Sequence, residues 1–222
     1  MEARTYVIPY LPVLDALELS SQEMVMESKA LRLPIMENNW RNIYPYSPIT
    51  VADLAYSAKG VYCRFWSKGI GLKAGFAEDG EKVHEDTCVG LFMQLPGADE
   101  YFRFAFNCIG TCCASKCAGN VTTTPLPPED MPRILRASSE RRGMIFDRPQ
   151  GVYSFWVSVF IPFSVLGVDL EADGAPSYLR MNLFKCGDTT TMPHALSWQP
   201  ISSEVPNFYQ TKDFVPIYFG KR

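Results

Sequence analysis

The stretch Tyr101-Phe102-Arg103-Phe104-Ala105-Phe106-Asn107-Cys108 alternates without a break. A period of two puts Phe102, Phe104, Phe106 and Cys108 on one face of a strand and Tyr101, Arg103, Ala105 and Asn107 on the other. Such a segment can bury its phenylalanine face only against a second layer. The same logic recurs in Val61–Trp66, Thr87–Gln94, Tyr153–Ile161 and Leu179–Cys186, where Leu179, Met181 and Leu183 alternate with Arg180, Asn182 and Phe184. Turn signals stand between these runs at Pro96-Gly97, Asp173-Gly174 and Gly187-Asp188. The pattern predicts an all-β protein, a β-sandwich of immunoglobulin-like or jelly-roll type. Helix is confined to Ser20–Lys29 and a short turn within Pro128–Leu135. The glycines of Lys68-Gly69-Ile70-Gly71 precede no phosphate-loop lysine and read as a turn.

No internal repeat, linker or low-complexity tract divides the 222 residues, so 1–222 is expected as one domain, with residues 1–38 an extension packed on it. A 47% hydrophobic and 20% charged composition suits a globular chain with a real core. A net charge of −3 offers no basic footprint, so neither nucleic acid nor an anionic membrane surface is an expected partner. The N-terminus lacks a signal pattern, and the most apolar run, Phe155–Val168, is interrupted by Pro162. The expected location is cytoplasmic as the sequence stands, or periplasmic or extracellular if a signal has been removed. Asn120-Val121-Thr122 is a glycosylation sequon by pattern alone.

Four of the seven cysteines fall in Asn107–Cys117, spaced C-x3-C-C-x3-C. This fits neither the separated knuckles of structural zinc nor the common iron–sulfur spacings. An odd total excludes a complete disulfide framework, so free thiols packed as small apolar residues are expected. His84-Glu85-Asp86 looks like an acid–base cluster, but adjacent strand residues point to opposite faces, and carboxylates beginning a strand commonly bind turn amides. Of Trp40, Trp66, Trp156 and Trp198, the last sits in a polar, proline-punctuated loop where an indole face could stack on a sugar. Arg103, Asn107, Arg180 and Asn182, on the non-core strand faces, carry the planar donors that bind hydroxyls in fixed geometry.

Read in order, Trp40, Tyr44-Pro45-Tyr46-Ser47-Pro48, Val61–Phe65, Val83–Val89 and Tyr101–Asn107 resemble family 9 carbohydrate-binding modules, and more closely their stand-alone Bacteroides-type relatives. Arg180–Asp188, Leu196-Ser197-Trp198-Gln199-Pro200-Ile201, Pro206-Asn207-Phe208 and Phe219-Gly220 continue the likeness. The resemblance implies a sandwich like the sugar-binding domains appended to xylanases and used in polysaccharide utilisation. It also implies aromatic stacking on the sugar and, in some members, a structural calcium; no other cofactor is expected. It implies acidic residues at the positions held here by Gly90 and Ala105, whose loss would reshape sugar contacts and calcium ligation.

Three readings follow. The first is non-catalytic binding of a mono- or oligosaccharide by Trp198, Arg103, Asn107, Arg180 and Asn182. The second is a glycoside-processing or glycoside hydrolase-associated enzyme using Glu85 or Asp86 to hydrolyse O-glycosyl compounds, and the third is a structural or interaction sandwich whose sugar site has decayed. The identity of the sugar and the oligomeric state are not encoded in any of these patterns.

Overall fold

A computed structural model describes residues 5–119 and 122–222; the sequon at Asn120 lies outside the described residues. The strands are β1 (Tyr6–Ile8), β2 (Leu31–Pro34), β3 (Ile49–Tyr56), β4 (Gly60–Ala74), β5 (Cys88–Gln94), β6 (Glu100–Asn107) and β7 (Cys112–Ala118). There follow β8 (Thr122–Pro125), β9 (Leu135–Ser138), β10 (Phe146–Pro162), β11 (Tyr178–Gly187), β12 (His194–Ser197) and β13 (Val215–Phe219). One sheet runs β1-β13-β11-β5-β6-β7-β8, with β12 added beside β11, and the other runs β2-β3-β4-β10-β9. Stacked face to face, they form a β-sandwich.

The alternation read in the sequence sets the inner layer. Phe104, Phe106 and Cys108 from β6 and its end meet Leu179, Met181 and Leu183 from β11, and across the sandwich Val61, Cys63 and Phe65 from β4 and Phe155, Val157, Val159 and Ile161 from β10. Beyond the long strands the correspondence is looser. Helix α1 is short, Glu23–Lys29, and Pro128–Leu135 contributes a single 3-10 turn at Met131–Arg133. Lys68–Gly71 is no turn: it lies inside β4, where Gly71 at φ +73° faces the register shift between Arg148 and Val152 of β10. A lone glycine in a left-handed conformation lets a long strand twist without leaving the ladder.

The first 38 residues do more than pack on the outside. β1 pairs in parallel with β13, β2 pairs with β3, and α1 lies over the outer face of β3 and β4. That cover explains why Tyr62 and Arg64, on the face of β4 turned away from the inner layer, are buried as well. Arg64 stacks on Trp156 at 4.5 Å, donates to Ser158 Oγ at 3.0 Å, and lies 2.8 Å from Glu23 Oε1 of α1.

The larger sheet is covered too. Its outer face, formed by Cys88, Phe92, Tyr101, Ala105, Cys117, Phe184 and Cys186, carries a second apolar cluster closed by Phe208, Tyr209 and Phe214 from the C-terminal segment. Strand faces that look solvated in the sequence are therefore floors under a loop.

Candidate functional site

Between that floor and the C-terminal segment lies an open pocket of about 600 Å3. Phe92 on β5 and Phe184 on β11 make its base, Arg103 rises from β6, and Tyr44, Phe208 and Tyr209 line its walls. His84, Asp188, Glu81 and Lys82 supply polar groups around it. Aromatic walls and a few polar groups in a concavity of this size are the lining that small-molecule sites commonly have.

The walls are held by a chain of specific bonds. Trp40 Nε1 donates to Ser203 O at 2.9 Å, and its ring meets Phe208 edge-on with centroids 5.2 Å apart. Tyr44 N donates to Trp40 O, so the same tryptophan positions both Tyr44 and Phe208. Phe208 also rests on Phe184 at 5.1 Å, and Tyr209 meets Phe92 edge-on at 5.5 Å. Burial raises the Tyr209 phenol above its ordinary range while nearby Arg103 opposes the shift. The Asp188 carboxyl is likewise pushed up by burial, opposed first by His84, whose Nε2 lies 3.9 Å away.

Of the five residues expected at the sugar, Arg103 alone lines this pocket. Trp198 is corrected from platform to core: it is 5% exposed, and Tyr6 covers it edge-on with centroids 4.7 Å apart. Its edge borders a shallow hollow of about 220 Å3. Trp198 shares the face of Leu196, and its amide donates to Leu183 O at 2.9 Å, so the alternation of β12 carries the indole into the core.

Asn107 is fully buried and structural. Its Nδ2 donates to Phe76 O at 2.7 Å and Asp86 Oδ2 at 2.9 Å, while its Oδ1 accepts from the amides of Ile109 and Thr111 in the turn at Gly110. Asn182 accepts from Gln199 N through Oδ1 and donates to Gln199 O, pinning the turn after Trp198. Arg180 donates to Gln94 Oε1 at 3.0 Å and to the carbonyls of Thr211 and Phe214 at 2.9 and 3.0 Å. Its guanidinium thus anchors the segment that carries Tyr209 over the sheet. Both residues build the site's frame rather than its surface.

The acids read as a cluster are separated. Asp86 is buried and accepts from Gly75 N, Phe76 N and Asn107 Nδ2; burial pushes its carboxyl up, and these donors oppose the shift. Binding turn amides is thus the role Asp86 takes. Glu85 instead forms an ion pair with Lys82 at 3.8 Å. The positions where carboxylates were expected are also on this face. A side chain on Gly90 would meet Phe184 Cζ at 2.3 Å and Phe104 O at 2.4 Å, and Ala105 sits directly opposite in register. Phe184 fills the space such an acid would need. Among the described residues no three His, Cys, Asp or Glu side chains converge as metal ligands. Cys108 and Cys112 are buried in the main core, where burial holds both thiols well above their ordinary range, Cys112 at about 12. Cys117 packs in the cluster on the outer face and half-buried Cys113 lies beside the pocket. Among the described residues no helix is long and apolar enough to cross a membrane.

Sequence reasoning missed Tyr44, Phe208 and Tyr209. The signal was present, since Tyr44-Pro45-Tyr46 and Pro206-Asn207-Phe208 both belong to the motifs quoted above, 164 residues apart and joined here on one wall.

A β-sandwich with an aromatic-walled pocket on one sheet is the architecture of a ligand-binding module. The sequence model of carbohydrate-binding family 9 matches residues 20–221, and the chain belongs to that family. A solved protein of Bacteroides uniformis ATCC 8492 assigned to carbohydrate binding is 26% identical, with 97% of this chain and 98% of that one aligned at a TM-score of 0.86. A family 9 carbohydrate-binding module of Caldicellulosiruptor kristjanssonii shares the fold at 11% identity. Its glucose complex aligns with a TM-score of 0.57 over 99% of this chain and 97% of that one, and its cellotriose complex with 0.59 over 99% and 95%. No curated protein matches the chain.

Proposed function

We propose that the protein binds a mono- or oligosaccharide without transforming it, and that the sugar occupies the pocket over Arg103 between Tyr44, Phe208 and Tyr209. The observation that carries this reading is the pocket itself: half-buried aromatic rings around a concavity of about 600 Å3, with a guanidinium at its base. Sugar C–H faces pack on aromatic rings, and the hydroxyls that ring the sugar take hydrogen bonds from planar donors. The volume accommodates one or two sugar residues, which suits recognition of a chain end or a short oligosaccharide. Membership of carbohydrate-binding family 9, and the glucose and cellotriose held by the Caldicellulosiruptor module, support the ligand class.

The test is calorimetry against glucose, xylose, cello- and xylo-oligosaccharides, glucuronate and galacturonate, with wild type and Tyr209→Ala. Loss of one contacting ring should weaken binding by about 1–3 kcal/mol. A folded wild type that binds no neutral or acidic sugar would overturn the reading.

A further inference from the structure

Arg103 is 9% exposed and stands among uncharged neighbours: Tyr101 and Ala105 flank it on the same face of β6, Phe92 lies opposite on β5, and Ser115 opposite on β7. The rings of Phe184 and Tyr209 are each centred 5.9 Å from its guanidinium carbon. Its hydrogen bond runs from Nη1 to Cys113 Sγ at 3.8 Å, and sulfur is a weak acceptor. Among the described residues no carboxylate lies within 4.0 Å of it. The buried side chains of Arg64 and Arg136, by contrast, each meet an acid at 2.8 Å, Glu23 and Asp79 respectively.

A desolvated cation with no acid in contact is costly, and the guanidinium fork matches a carboxylate through two parallel hydrogen bonds. The protein cannot supply that carboxylate from the nearest positions on the floor, because Gly90 is closed off by Phe184 and position 105 is alanine. Around the pocket His84 lies 3.9 Å from Asp188, Lys82 lies 3.8 Å from Glu85, and Glu81 accepts from Glu78 N; Asp188 feels the Arg103 charge across the pocket but does not touch it. Arg103, at the base, is a buried cation that no acid among the described residues touches.

We infer that the sugar taken by this pocket carries a carboxylate, as a hexuronic acid does, and that Arg103 pairs with it while the aromatic walls hold the ring. This rests on the sugar-binding reading of the same pocket and narrows it to acidic sugars.

The decisive comparison is calorimetric, with glucose, glucuronate, galacturonate and methyl glucuronate, whose ester keeps the ring and removes the charge. Wild type should bind at least one uronate about tenfold or more tighter than glucose, and the ester at the level of glucose. Arg103→Gln should erase the preference, so that whatever affinity it retains is the same for uronate and glucose. Because the substitution is buried, its circular dichroism and melting are checked first, and the ester comparison stands on wild type alone if the variant does not fold. Equal or tighter binding of glucose, an ester as tight as the acid, or a preference that survives in Arg103→Gln would each overturn the acidic-sugar inference while leaving sugar binding intact. Failure of every sugar, neutral and acidic, would overturn both.

Discussion

Asn107 Nδ2 donates to Asp86 Oδ2 across 2.9 Å, and the pair joins the end of β6 to the turn between β4 and β5. Both side chains are fully buried, and the carboxylate also accepts the amides of Gly75 at 2.7 Å and Phe76 at 3.1 Å. What looks in the sequence like a catalytic acid beside a sugar-binding asparagine is a hinge pin for the turns beside the pocket.

Removing that acceptor takes a partner from the part-buried amides of Gly75 and Phe76 and from the buried Asn107 Nδ2, which keeps Phe76 O. Asp86→Ala should cost about 1–3 kcal/mol, the penalty for losing a buried acceptor that ties these donors together. Asp86→Asn, which keeps one acceptor oxygen, should cost less. Urea denaturation measures both, and a change below about 0.5 kcal/mol for the alanine variant, the range of ordinary surface substitutions, would contradict the structural role.

Trp198→Ala should empty a core position. The expected loss is about 3–5 kcal/mol of stability, the range for large aromatic truncations, with little change in sugar affinity under conditions where the variant stays folded. A large loss of affinity at unchanged stability would instead return Trp198 to the site.

Gly90 is required by a close approach. Gly90→Ala would set a methyl group 2.4 Å from Phe104 O, which as backbone cannot swing aside, and 2.3 Å from the Phe184 ring. Overpacking of this kind costs about 1–3 kcal/mol and should displace Phe184 in the pocket floor. Unaltered stability and an unmoved Phe184 would show that the floor is looser than described.

Lys185 and His194 form a buried pair of bases. Lys185 Nζ lies 2.7 Å from His194 Nε2, His194 Nδ1 lies 2.7 Å from Met192 O, and Phe155 lies 5.7 Å from the ammonium. Burial lowers the lysine to about 8 and, with the neighbouring ammonium, holds His194 well below its ordinary value. In both cases the unfolded chain binds the proton more tightly, so each group withdraws stability as pH falls and restores it as pH rises. The histidine contribution declines as pH drops below 6.5, and the lysine penalty is relieved between 8 and 10.5. Buried thiols such as Cys63 and Cys186 act oppositely in the alkaline range, because their folded values are raised. The difference between wild type and Lys185→Met therefore isolates the lysine. Relative to the variant, wild type should gain stability from pH 8 to 10.5, and its loss between pH 6.5 and 5 should be steeper. Parallel curves for the two proteins across both windows would refute the pairing.

The inner layer was legible because period two is local: Phe104 and Phe106, or Val157 and Val159, declare a face without reference to anything distant. The outer face was not, because the same alternation that sends Arg103, Asn107, Arg180 and Asn182 away from the core says nothing about a later segment folding over them. Phe208, Tyr209 and Phe214 provide that cover, and three of the four polar residues became its fasteners or those of neighbouring turns. Trp198 misled for a related reason. A polar, proline-rich neighbourhood predicts a loop, but Tyr6 from the other end of the chain seals the indole. The resemblance carried the family and the sandwich, and it even contained Tyr44 and Phe208; only the fold shows that both line one pocket.

The central claim is tested most directly by a crystal structure of the protein with its tightest-binding sugar. The account predicts a ring in the pocket between Tyr44, Phe208 and Tyr209, with a polar group of the sugar on the Arg103 guanidinium. A sugar bound elsewhere, for instance in the hollow beside Trp198, with this pocket holding only water, would contradict it.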